Sequence, residues 1–442
     1  MILPYELIEY RKIEQQYSKK DKEIIESVVK CSIEEYVQFL ELEIFKYNKK
    51  FNYKLKKLII CYDGYGNPYV YAEFEEKGHI LVSLINNESV LINPLNKKRI
   101  LNNIDLNKKY TIDYIRHALR ETKEEYISAF SLETGFSVKN NPILRNLRKE
   151  KFSIKSNLND KKLIHEKHKI KKQIANYYKK EVPKNKNKGV GEIIYADVEL
   201  KHSWWFKTKA EGFGYADGKS YSEQEKQGYP SYKEGLCHYV GAAMLLQYAE
   251  YFMSRDVFGF SGAWKYMESG ATNLSKFPES PTINKYLVLD LWGRHANWAI
   301  KTTGAYFKST MWSFLQSDGK KPSVYVQRRS MGAIWPWKWI DDNKVFMTYG
   351  HVYNPNNGQT IGHSIMPYGY YNKGPNKYLA HFGWEDYSQV IVSQNLQTQV
   401  WLIALVQNNP QVKPTLRKHF YYEGKYYTGE EATEIFNNKF KK

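Results

Sequence analysis

Hydrophobic residues recur at three- and four-residue spacing between Lys and Glu across residues 5–50, which is the period of a buried helix face. From residue 55 the pattern changes. Residues 55–62, 69–74 and 79–84 are apolar, β-rich runs, separated by Asp63-Gly64-Tyr65-Gly66-Asn67-Pro68 and by Gly78. Gly and Asn-Pro between such runs are hairpin punctuation. Helices followed by strands predict a small α+β domain over residues 1–144. Residues 145–188 are rich in Lys and end in Val182-Pro183-Lys184-Asn185-Lys186-Asn187-Lys188, which reads as a basic linker.

A second domain is expected over residues 189–442. Residues 192–200 alternate like a strand, and a Gly/Tyr-rich stretch then leads to Gly235. The apolar run that follows predicts a helix from Leu236 to about Met253. Gly241, Ala242 and Ala243 permit close packing, and Met244, Leu245, Tyr248 and Phe252 supply apolar surface. Residues 260–316 read as mostly helical with a break around Pro278 and Pro281. From Ser323 the period returns to that of strands, at 324–326, 344–349, 364–366, 377–380 and 389–393, with 400–406 open between strand and helix. Helices first and antiparallel strands after predict an α+β fold of segregated layers.

Composition narrows the function classes. With 442 residues and 42% apolar content the chain can build two cores. No apolar run approaches the roughly 20 residues of a membrane span. The N-terminus has neither a basic lead nor an apolar segment, so no signal peptide is expected and the location expected is cytoplasmic. The net charge of +19 is concentrated: residues 145–188 hold 16 Lys/Arg against 4 Asp/Glu. No aromatic or Gly pattern interleaves with these lysines, which argues against nucleic-acid binding. Three cysteines, Cys31, Cys61 and Cys237, are too few for a disulfide framework or a four-thiolate zinc site. Phosphate-loop, dinucleotide, zinc-protease and calcium motifs are absent from the sequence, and neither a metal nor a cofactor is expected.

The chemistry centres on Cys237, at the start of the apolar helix. There the backbone N–H groups and the helix dipole favour a thiolate and can bind an oxyanion. Cys31 and Cys61 read as structural thiols. Among the downstream histidines His295, His351, His363 and His381, it is His363 that has the context of a base. It opens a strand in Gly362-His363-Ser364-Ile365-Met366-Pro367-Tyr368-Gly369-Tyr370. His381 lies 18 residues on, in Ala380-His381-Phe382-Gly383-Trp384. Adjacent antiparallel strands are expected to bring it beside His363 as the group that orients the ring, with Asp386 as the alternative. Gln227 and Tyr232 are candidates for a side chain that binds the oxyanion. His238, one residue beyond Cys237, is expected to be structural. Trp204, Trp205, Trp335, Trp337 and Trp339 either line a substrate groove or belong to the core.

A helix-borne Cys, a strand-borne His in Gly-His-Ser-x-x-x-Tyr-Gly-Tyr and a later Phe-Gly-Trp together resemble the papain-like cysteine peptidases. The nearest likeness is to the streptopain-like branch and to cysteine peptidases of mollicutes and related low-GC bacteria. It covers residues 190–400 best. Residues 62–82 also resemble the propeptide-like domain of that group. The resemblance implies a papain-like catalytic domain with a helical subdomain and an antiparallel β subdomain, acting on a polypeptide substrate. It makes Cys237 the nucleophile and His363 the general base. It places His381 where the family has Asn or Asp, and gives Trp384 the task of shielding the pair from water. Residues 1–188 would act as an inhibitory or chaperone-like leader. Two features depart from the family pattern: His238 and Tyr239 follow the cysteine, and Ser231 stands where papain-like enzymes carry the oxyanion Gln. The alternatives are another Cys-His acyl-transfer enzyme, an amidase or transglutaminase-like one, and a non-catalytic basic protein that binds nucleic acid or a surface on a degenerate peptidase fold.

Overall fold

The computed structural model describes residues 16–49, 51, 53–62, 68–84, 86–97, 99–113, 118–121, 193–208, 236–259, 266, 272–274, 287–288, 290–291, 294, 304–317, 319, 321–330, 335–353, 360–371, 377–383, 387–396 and 398–440. The basic linker 145–188 lies outside the described residues. The fold is mixed α and β. The chain divides into two compact units, residues 1–186 with 353–360, and residues 187–352 with 361–442.

In the first unit, two helices form where side chains satisfy their free N-terminal N–H groups. Ser18 caps α1 (Lys19–Val29), its Oγ accepting from the Asp21 N–H at 3.0 Å. A reciprocal Ser32–Glu35 capping box opens α2 (Ile33–Phe45). Ile33, Tyr36, Leu40 and Ile44 make the buried stripe of α2. Strands β1 (Leu55–Tyr62), β2 (Pro68–Phe74), β3 (His79–Ser83), β4 (Ser89–Asn93), β5 (Tyr110–Asp113) and β6 (Ala118–Glu121) follow. They lie in the order β6-β5-β1-β2-β3-β4. The β1–β5 pair is parallel and the other pairs are antiparallel. The register sets Glu73 opposite His79, and both are buried. Burial raises the Glu73 carboxyl above its ordinary range and pulls the His79 ring down to about 3. Glu73 Oε1 also accepts from the Ile100 and Leu101 N–H groups at 2.7 and 3.2 Å. Cys61 is buried in β1 and Cys31 is half-buried; neither is in a disulfide.

The second unit contains β7 (Val198–Glu199), α3 (Trp204–Lys207), α4 (Leu236–Phe252), β8 (Thr272–Asn273), α5 (Gly304–Leu315), β9 (Val324–Ser330), α6 (Pro336–Asp341), β10 (Val345–Tyr353), β11 (Thr360–Tyr370), β12 (Lys377–His381), β13 (Val390–Ser393), β14 (Thr398–Gln407), β15 (Phe420–Tyr422), β16 (Lys425–Tyr427) and α7 (Gly429–Phe440). The main strands run in the order β13-β12-β11-β10-β14-β9, and β7 adds to β11. Residues 400–406 are strand, part of β14. Most of residues 260–303, expected to be helical, lie outside the described residues. No described helix is long and apolar enough to cross a membrane.

Helix α4 is buried from His238 to Phe252. Val240, Ala242, Ala243, Met244, Leu245, Leu246, Tyr248, Ala249, Tyr251 and Phe252 are all core residues. An aromatic cluster covers one side. Phe206 stacks on Tyr248 at 5.4 Å and on Tyr368 of β11 at 5.5 Å, and Trp204 meets Phe252, Phe420 and Phe436. Trp204, Trp205 and Trp339 are therefore core, whereas Trp335 is exposed and Trp337 half-buried. A buried ion pair braces the same region. Lys207 Nζ lies 2.8 Å from both carboxylate oxygens of Glu199. The Ala196 N–H and the Ser203 hydroxyl also donate to that carboxylate, at 2.7 and 2.6 Å. Since Glu199 pairs with Gly369, this fully satisfied network ties α3 to β11.

The far end of α4 is anchored by Glu250, whose Oε2 accepts from the Phe258 N–H at 3.0 Å and whose carbonyl accepts from the Thr415 N–H at 3.0 Å. Burial, aided by the Asp256 charge, pushes the Glu250 carboxyl up from 4.5 to about 8. The folded state therefore binds this proton more tightly than the unfolded chain. The resulting stability is complete below pH 4.5 and is lost as pH rises through about 8. Replacing Glu250 by Gln should flatten the fall in melting temperature across that window relative to wild type. Parallel melting curves from pH 5 to 9 for the two proteins would contradict this assignment.

Candidate active site

A cysteine nucleophile needs a thiolate-stabilising position, a base and oxyanion donors. Cys237 is the second residue of α4, so its backbone belongs to the first helical turn, where N–H groups lack intrahelical acceptors. Residues around it fix where that turn sits. His238 Nδ1 lies 2.6 Å from the hydroxyl of Ser364 in β11. A Cβ placed on Gly383 would lie 3.6 Å from Val240 Cγ1. One turn further, Gly241 approaches the strands so closely that a Cβ would lie 2.9 Å from Met347 Sδ, 3.1 Å from Met366 Sδ and 3.4 Å from Ser364 Cβ. The start of α4 therefore rests on the residues next to His363 in β11 and just beyond His381 in β12.

His363 is 1% exposed. Its ring lies 5.6 Å from that of Phe382, tilted at 41°. Burial pulls its pKa from 6.5 down to about 4, with the Phe382 backbone acting in the opposite direction. At neutral pH the ring is uncharged and can accept a proton.

His381 is also buried, but it is not placed beside His363. The ladder pairs His381 with Met366, three residues past His363. Side chains alternate across a strand, so His381 shares the Ser364 and Met366 face, against α4. His363, Ile365 and Phe382 occupy the other face. The Gly383 N–H donates to His381 Nδ1 at 2.7 Å, which commits that nitrogen locally. The hairpin thus brings the two histidine-bearing strands together without setting one ring behind the other. Gln227, Trp384 and Asp386 lie outside the described residues, as do Ser231, Tyr232 and His295. His351 is in β10, paired with Thr398.

One residue of the site was not expected to matter. His238 is buried with Ser364, and its ring meets Tyr349 edge-on at 4.4 Å. The signal in the sequence was a polar ring inside an otherwise apolar helical run, one position after the thiol. Among the described residues, no group of three His, Cys, Asp or Glu side chains could hold a metal ion.

With this geometry in hand, comparison with known proteins adds nothing further: no protein-family model matches the chain, and no curated protein does.

Gly241 is the position where α4 comes closest to the strands. Gly241→Ala would force the two methionine sulfurs aside, costing about 1–3 kcal/mol as overpacking. Denaturant unfolding should show that loss, with the thiol at Cys237 alkylated at an altered rate in the folded protein. An unchanged unfolding midpoint would mean that the approach is looser than described.

Proposed function

We propose that this protein is a cysteine peptidase that cleaves peptide bonds through a thioester on Cys237. The observation that carries this reading is the seating of the first turn of α4 on Ser364 and Gly383, the neighbours of His363 and His381. It brings the backbone of a helix-start cysteine to the face of the hairpin that bears Ser364, Met366 and His381. A helix start supplies N–H groups for an oxyanion.

In this mechanism a base on the α4 side of the sheet accepts the thiol proton as the Cys237 sulfur attacks the scissile carbonyl carbon; His363 stands on the opposite face of β11. The tetrahedral oxyanion is held by backbone N–H groups at the start of α4. The C–N bond then breaks, that proton passes to the departing amine, and a thioester remains. Water attacks the thioester with the same base again taking a proton. The carboxylic acid leaves and the proton returns to the sulfur.

One outcome tests this reading. Cys237→Ala should lower cleavage of an unfolded protein substrate at least ~10³-fold while leaving the melting temperature near wild type. Retention of the wild-type rate would sink the proposal.

A further inference from the structure

The His238–Ser364 contact joins two residues that stand one position beyond Cys237 and His363 in the sequence. Both side chains are 1% exposed, and the Nδ1···Oγ separation is 2.6 Å. Around them the interface is apolar: Val240, Met347 and Met366 line it. A buried imidazole and a buried hydroxyl are costly unless they meet each other, and they are directional when they do.

Direction is what α4 otherwise lacks at this end. An amphipathic helix is held in rotation by its apolar stripe. Helix α4 buries Val240, Ala242, Ala243, Met244, Leu245 and Leu246 in succession, so hydrophobic burial alone penalises a turn about its axis only weakly. Gly241 lets the helix approach but does not lock its azimuth. The imidazole–hydroxyl bond does, because rotating or sliding α4 would leave two polar groups buried and unpaired.

Deepening the function proposed above, and resting on it, we infer that His238 is a positioning residue: its bond to Ser364 sets the rotation of α4 and thereby the placement of Cys237 relative to β11. It acts through the helix and takes no proton from the substrate.

The test uses the full-length chain with four variants: His238→Leu, His238→Asn, Ser364→Ala and the Leu/Ala double variant. Asn carries its amide near the place of imidazole Nδ1 and can keep the bond. Three readouts are taken: melting temperature, kcat and KM separately, and the alkylation rate of Cys237 by iodoacetamide, resolved from Cys31 and Cys61 by peptide mapping. A displacement of about 1 Å costs ~10²-fold in rate, so His238→Leu and Ser364→Ala should each lower kcat by that order with KM little changed. His238→Asn should recover most of the loss. The double variant should be no worse than either single one, since both remove the same bond. Wild-type kcat in folded Ser364→Ala, or losses that multiply in the double variant, would overturn the inference. So would failure of Asn to rescue. If His238→Leu does not fold, Ser364→Ala and His238→Asn decide the matter alone. Failure of the peptidase reading is distinguishable. In that case no variant has turnover to lose, yet the alkylation rate of Cys237 still changes in His238→Leu and returns in His238→Asn.

Discussion

The second unit depends on burying α4 on every side. A helix with apolar residues around its whole circumference cannot sit at a surface, so something must cover each face. Strands β10 and β11 cover one side, where Gly241 lets the backbone come close. The aromatic residues Trp205, Phe206 and Phe420 cover the other, meeting Tyr248, Tyr251 and Phe252. The Glu199–Lys207 pair holds the aromatic layer in place through β7. The proposed chemistry is a by-product of this enclosure: the helix must enter the core at its N-terminal end, and that end carries the cysteine.

Enclosure also sets the electrostatics. Desolvation disfavours charge, so His363 is held neutral and Glu250 is held protonated to unusually high pH. Where a charge persists in the interior it is surrounded by donors and a counter-ion, as at Glu199. Polar groups without charge are paired in the same spirit, as His238 is with Ser364. The apolar packing brings the elements together, and these few directional contacts choose one arrangement among the many that packing alone would tolerate.

The first unit follows a simpler rule. Its strands alternate, with Val70, Ala72 and Phe74 on one face of β2 and Tyr71 and Glu73 on the other. The capped helices are laid out by the Ser18 and Ser32 signals. Here burial places Glu73 and His79 side by side with opposite pKa displacements, both toward the uncharged form.

Much of this was legible along the chain. The helix beginning at Leu236, the strand of His363 and the strands at 55–62, 68–74 and 79–83 all announce themselves by local period, because side-chain spacing follows directly from backbone geometry. The placement of His381 was not legible. Its face depends on whether the β11–β12 ladder pairs it with an odd or even position of the partner. A shift of one residue reverses every side chain, and that parity is set by the pairing of the two strands and not by the residues of either one. The partnership of His238 with Ser364 was hidden for a related reason: the two lie 126 residues apart, and only the packing of α4 on β11 makes them neighbours. The sequence by itself determined the helix at Leu236, several of the strands and where a nucleophile could stand. The tertiary structure alone decided which faces the histidines occupy and how far burial shifts their protons, since both follow from contacts between distant segments and from the exclusion of water.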